Sequence, residues 1–203
     1  LVAVKGLVDL AELRRIRELS RMEFGVAMVA LAGVLLLGIL KGVLLAALVS
    51  MLLLVARTAN PHVARLGRVP GTTRYSDVER HPENEPVPGV AIVRVESGLY
   101  YFNAGHVRDE LRRHLAASGE GLRLVVWDLS TSPYVDIAGA RLIAEMQREL
   151  AARGVALRIV DAHAQVREIV RKAAGPAVGE VSRRISIDDA VAAADGAAAA
   201  GPP

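Results

Sequence analysis

Residues 122–150 read LRLVVWDLSTSPYVDIAGARLIAEMQREL, and this stretch decides the fold. LRLVVWDL is a nearly unbroken apolar run, as expected of a central strand covered on both faces. Pro133 and the neighbouring serines end the strand. From Ala138 to Arg153 the apolar residues Ala138, Leu142, Ile143, Met146 and Leu150 recur at helical spacing, predicting an amphipathic helix. Asp136 stands just before that helix, where its carboxylate can accept free backbone N–H groups and meet the positive end of the helix dipole. Gly139 in the first turn lets another backbone approach closely.

The elements on either side have the same character. VAIVRVE from Val90 alternates like a strand, and LYYF from Leu99 reads as a second strand after a tight Ser97-Gly98 turn. Gly105 to Ala117 carries Val107, Leu111 and Leu115 at helical spacing. VALRIV is a further strand, Ala164 to Ala173 a third helix, Arg184 to Ile187 a late strand, and a last helix starts near Asp188. The fold class is therefore α/β, a mixed β-sheet with amphipathic helices over residues 89–195. Residues 196–203 are expected to be a disordered tail.

Upstream the chain changes. Between Phe24 and Ala56 the only charge is Lys41, and one helix of that length would be roughly 50 Å long against a hydrocarbon core of about 30 Å. Gly38, Lys41 and Gly42 offer a break near the middle, so residues 22–57 are expected to form an all-α membrane hairpin. Arg14, Arg15, Arg17 and Arg21 precede it and Arg57, Arg65 and Arg68 follow, which puts both ends on the cytoplasmic side. The alternative is a buried hairpin of a soluble helical protein, but each arm is apolar nearly all round instead of striped. Small residues in both arms suit packing against further membrane helices. Lys41 either snorkels to an interface or lines an aqueous path. Residues 1–21 read as an amphipathic cytoplasmic segment, with Leu10, Leu13, Ile16 and Leu19 at helical spacing. They do not read as a signal peptide, and a fragment of a longer protein is expected. Residues 58–88, with five prolines and three glycines between Asn60 and Gly89, read as a linker.

Several chemistries find no support. The chain has no cysteine, which excludes disulfides, a thiolate nucleophile and a cysteine-based zinc site. His106, His114 and His163 fall on different helices and form no HxxxH or HExxH pair, and His62 and His81 read as solvated linker residues. Asp128 and Asp136 would need a shared pocket to act as an acid–base pair. No phosphate-binding glycine loop occurs, and the slight basic excess (25 Lys and Arg against 22 acids) sits beside the hydrophobic segment, as membrane anchoring and not nucleic-acid binding would place it. No catalytic residue, cofactor or metal is expected.

The loop DLSTSPYVDIAGARL and the order of elements around it resemble a STAS domain, and the hairpin running into residues 55–104 resembles the junction before that domain in SulP-family anion transporters. The resemblance covers nearly the whole chain. It implies the last two of fourteen membrane helices plus a STAS domain, with the substrate-binding helices outside this sequence. Implied partners are the lipid bilayer, the remaining transporter helices, a second copy in a homodimer, and a cytoplasmic regulatory protein. The implied location is the inner (plasma) membrane, multi-pass, with the STAS domain cytoplasmic. Secondary transport of an inorganic anion, sulfate foremost, is the implied activity; a membrane-tethered STAS signalling module without transport is the alternative. The candidate interaction loop is Ser130, Thr131, Ser132, Asp136, Ile137, Ala138 and Gly139. A capped helix start with no further role is the plainer reading of the same residues. STAS domains that act as anti-sigma-factor antagonists are switched by phosphorylating a serine directly after this aspartate. Ile137 occupies that position here, so the switch is not expected and the domain resembles the transporter kind.

Overall fold

The computed structural model describes residues 10–119, 121–174 and 185–199. These divide into two compact units, residues 1–57 and 58–203.

In the first unit, α1 spans Leu10–Leu19, α2 Arg21–Leu37 and α3 Ile39–Ala59. Ser20 caps α2 by accepting from the Glu23 N–H at 3.2 Å. The break predicted near Gly38 falls on Gly38 itself, whose φ of 84° lies where side chains are disfavoured. Beyond it the chain folds back so tightly that a Cβ on Gly42 would strike the Val34 backbone nitrogen. Gly33 and Gly42 are buried against each other, while the large apolar residues around them are not: Leu36 is 82 % exposed and Leu40 75 %. Among the described residues α3 alone is long and apolar enough to cross a membrane. Its 21 residues span about 32 Å as a helix. At 17 residues α2 is shorter, and it carries Arg21 and Glu23 in its first turn.

The second unit is a five-stranded mixed sheet in the order β2-β1-β3-β4-β5. Its strands are β1 (Val63–Arg68), β2 (Tyr75–Asp77), β3 (Val90–Val95), β4 (Leu124–Asp128) and β5 (Ala156–Val160). β3, β4 and β5 run parallel, joined through α4 (Ala104–Ala117) and α5 (Ile137–Ala152), and β1 is antiparallel to both neighbours. α6 (Ala164–Ala174) and α7 (Ile187–Ala199) complete the unit. Period-2 alternation sends Val93, Val125 and Trp127 to one face, where they meet Val107, Leu111, Leu142, Ile143, Met146 and Val166. Ile92, Leu124 and Val126 go to the other face, against Ile187, Ala190 and Val191 of α7. All five residues of β4 are buried, as its apolar run requires.

Four expectations need correction. Residues 58–88 are not a plain linker: β1 and β2 lie inside them and belong to the sheet. The prolines, Gly67 and a burial pattern with no strict alternation hide β1, and β2 is three residues long. LYYF is not a strand. Leu99 makes one parallel bridge to Val135, after which the chain turns directly into α4. There is no strand at 185–187: Ile185 and Ser186 are irregular and Ile187 opens α7, while Arg184 lies outside the described residues. Of the tail, residues 196–199 continue α7, and 200–203 lie outside the described residues.

Candidate functional site

The parallel strands end at a loop surface built around the start of α5. Asp136 is in extended conformation at the N-cap, and its two carboxylate oxygens have different tasks. Oδ1 accepts the Gly139 N–H at 2.8 Å, and Oδ2 accepts the Tyr101 N–H at 2.7 Å. The Asp136 N–H donates to the Leu99 carbonyl, and the Leu99 N–H to the Tyr134 carbonyl. Two separate loops, 97–103 and 129–136, are thus stitched into one surface. Gly139 is needed where they meet: a Cβ there would sit 2.6 Å from the Leu99 Cβ and 2.9 Å from its carbonyl oxygen.

The seven candidate loop residues divide by burial. Ser130, Thr131 and Ile137 are exposed, and Asp136 and Ala138 half-exposed. Ser132 and Gly139 are buried. The Ser132 hydroxyl donates to the Ser97 carbonyl at 2.8 Å, and the Thr131 hydroxyl to that of Val95. Ser132 and Gly139 therefore shape the loop from within.

Sequence reasoning missed the aromatic part of this surface. Tyr100 stacks on Phe102 and on Tyr134, with centroids 5.2 and 5.6 Å apart. Tyr101 is 77 % exposed, and Tyr134 and Ile137 also reach solvent. Three of the four tyrosines and one of the two phenylalanines gather here. The signal was the run LYYF ahead of an Asn at a helix start; its β-propensity masked it.

Deeper at the same strand ends lies an ion pair. Asp128, almost fully buried, binds the Arg94 guanidinium at 2.6 Å and accepts the Ser130 N–H at 2.8 Å. Asp161 follows β5 with φ of 53°, and partial burial, then the Asp128 charge, push its carboxyl above the usual carboxylate range, with Arg94 opposing.

A second feature lies beside β1. His62, His106 and His114, treated above as unrelated, line one cavity of 560 Å³ together with Glu79, Glu110 and Arg113. His106 and His114 are both on α4, not on different helices. Their Nε2 atoms meet the carbonyls of Pro61 (3.1 Å) and Val63 (2.8 Å), which fixes each as an N–H donor there. His62 pairs with Asp77 at 2.9 Å. Burial alone would raise the Asp77 carboxyl, but hydrogen bonds from His62 and the Glu79 N–H and the charges of His62 and Arg80 hold it below the usual range. Among the described residues no three His, Asp or Glu side chains are placed to hold a metal ion.

A family model described as the STAS domain matches residues 81–182. This chain belongs to the STAS family. β1 and β2 lie ahead of the matched STAS segment although they share its sheet. Similar curated proteins are "Sulfate transporter 4.1, chloroplastic" of Arabidopsis thaliana, 31 % identical over 153 residues, covering 71 % of this chain and 22 % of that protein. "Probable sulfate transporter 3.5" of the same plant is 27 % identical over 94 % of this chain and 30 % of its own length. The chain thus spans about a quarter of the curated relatives it matches. Among solved structures, the murine Solute Carrier 26 family member A9 anion transporter in the inward-facing state superposes with a TM-score of 0.72 over 85 % of this chain and 27 % of that one, at 24 % identity. Sulfate transporters are thus among its sequence relatives, and its fold is shared with that anion transporter.

Proposed function

We propose that this chain is the C-terminal part of a secondary active inorganic-anion transporter of the sulfate class, with the STAS domain as its cytoplasmic regulatory and interaction module. The observation that carries the reading is the direct joining of a hydrophobic hairpin, its large side chains turned outward, to a STAS domain whose sequence relatives are sulfate transporters. In water those exposed leucines would cost roughly 1.5–3 kcal/mol each relative to burial, so α2 and α3 need lipid or further helices around them. Basic residues on both flanks favour a multi-pass arrangement in the plasma membrane with both hairpin ends cytoplasmic. The transport pathway itself belongs to helices beyond these residues, and a second copy of the chain is the expected oligomeric partner.

The Asp136 loop is the docking surface for a regulatory protein in this reading. Ile137 supports it, an apolar residue 60 % exposed at the first position of α5, beside the Asp136 carboxylate that holds the Tyr101 N–H. The test expresses the whole reading frame containing this sequence in cells that lack sulfate uptake. Uptake of labelled sulfate supports the reading, and Ile137→Asp is expected to change the uptake rate severalfold at unchanged protein level. A frame with no further hydrophobic spans and no anion uptake would favour a membrane-tethered signalling module instead.

A further inference from the structure

Asn103 holds the N-cap of α4, a position where asparagine ordinarily turns its side chain onto the helix's own free N–H groups. It makes no such bond. The side chain is fully buried and faces the other way, joining three pieces of chain. Its Oδ1 accepts the Tyr100 N–H at 2.8 Å, and its Nδ2 donates to the carbonyls of Gly98 at 2.9 Å and Thr58 at 3.1 Å. Thr58 lies in the last turn of α3.

The bond to Tyr100 sits next to a second grip. Tyr100 and Tyr101 are consecutive, and their amides are held from two directions, the first by Asn103 and the second by Asp136. Two hydrogen-bonded grips, Gly139 and Tyr101 on Asp136, and Tyr100 and Thr58 on Asn103, are therefore joined by the backbone of Tyr100 alone. His106 and His114 hold the following carbonyls of Pro61 and Val63 to the body of α4, but neither touches the Asp136 loop.

We propose that Asn103 is the positioning residue that couples the Asp136 loop to the chain leaving α3. An occupant of the loop that disturbs the Asp136–Tyr101 bond loosens the Tyr100 amide from Asn103, and with it the hold on Thr58. The buried amide suits this task because each of its three bonds is costly to leave unmade. The inference rests on the docking reading for its biological use, but its geometry stands without a partner.

The experiment measures hydrogen exchange by mass spectrometry on the full chain in detergent micelles, comparing Asp136→Ala, Asn103→Asp and the double variant. Asp136→Ala is expected to speed exchange at residues 99–102, and also at residues 60–64 by about fivefold or more, the lower end of ordinary coupling. Asn103→Asp keeps the acceptor for Tyr100 and removes both donated bonds. In that background Asp136→Ala should leave residues 60–64 within about twofold. An unchanged segment 60–64 in the single Asp136→Ala chain overturns the proposal, as does an equal change in both backgrounds. Protection in β4 and β5 reports whether each variant is folded, and Asn103→Ala replaces the aspartate if it is not. Failure of the docking reading would appear in the uptake assay with Ile137→Asp, which leaves this exchange pattern untouched.

Discussion

The hydrophobic hairpin and β4 are made from the same residues and treat them in opposite ways. In α2 and α3 most of the large apolar residues, Leu36, Leu40 and Leu44 among them, are exposed, and the buried positions are the glycines Gly33 and Gly42. In β4 every side chain is buried, including Asp128. Backbone polar groups explain the difference. A helix satisfies its own N–H and C=O groups and can present an apolar surface on all sides, whereas a strand needs neighbours in the sheet. The hairpin thus carries its information in small residues that allow close approach, and the sheet unit carries its own in paired polar groups and a filled core.

Charge gives the largest test of this contrast. Arg94→Ala would leave Asp128 buried without its partner, and a loss of about 3–5 kcal/mol in denaturant unfolding of the sheet unit is expected. Lys41→Ala, at an exposed position of α3, should leave that transition unchanged. Equal effects of the two would mean that the units do not differ as described.

Glycine gives the next. Gly139→Ala must push Leu99 or the loop aside, and a cost of about 1–3 kcal/mol is expected. Gly25→Ala meets nothing within 4 Å and should be neutral or slightly favourable to α2. Gly42 is the exception inside the hairpin. Its Cβ would strike the Val34 backbone, so Gly42→Ala is expected to splay the turn, seen as a longer distance between spin labels on α2 and α3. The absence of cysteine makes such labelling unambiguous.

Asp77 brings in pH. Its carboxyl is held below the usual range in the folded state, so its contribution is present above the ordinary carboxylate value and disappears as pH falls through the depressed one. Asp77→Ala should therefore cost about 1–2 kcal/mol at pH 7, through the unmatched His62 and Glu79 N–H groups. The gap between the two proteins should close in acid; a constant gap from pH 7 to pH 3 would separate Asp77 from this role.

Legibility in the sequence followed the same division. Two apolar helices were readable from the uncharged run, and their break at Gly38 needed only a glycine. β3, α4 and α5 were readable from period, and β4 from its unbroken apolar run. β1 was not, since Val63, Ala64, Leu66 and Gly67 are all buried and the strand shows no alternation. The Asp136 cap could be read from its place before the helix. Its second bond, to Tyr101, could not, because a contact across 35 positions leaves no mark on either residue. Asn103 was hidden more thoroughly, for an asparagine before a helix is ordinarily explained by the cap it does not make here. His106 and His114 carry no chelating spacing, and what they bind is backbone.

The smallest expected effect concerns Asp161. Its φ of 53° suits asparagine as well as aspartate, so Asp161→Asn keeps the turn and removes only the charge. Partial burial and the facing Asp128 both disfavour that charge, and Arg94, already committed to Asp128, relieves it in part. A carboxyl raised in the folded state lowers stability once ionised, so the wild-type deficit develops as pH rises from the ordinary carboxylate value through the raised one. Asp161→Asn is accordingly expected to raise the melting temperature of the sheet unit slightly at pH 7, with the gain shrinking toward zero as the pH is lowered to about 4. Glu23→Gln in the first turn of α2 should bring no gain in stability, since the charge it removes favours the helix start. A gain at Asp161 that persisted in acid would point to the backbone turn and not the charge. In that case burial would not be what separates the charges of the sheet unit from those of the hairpin.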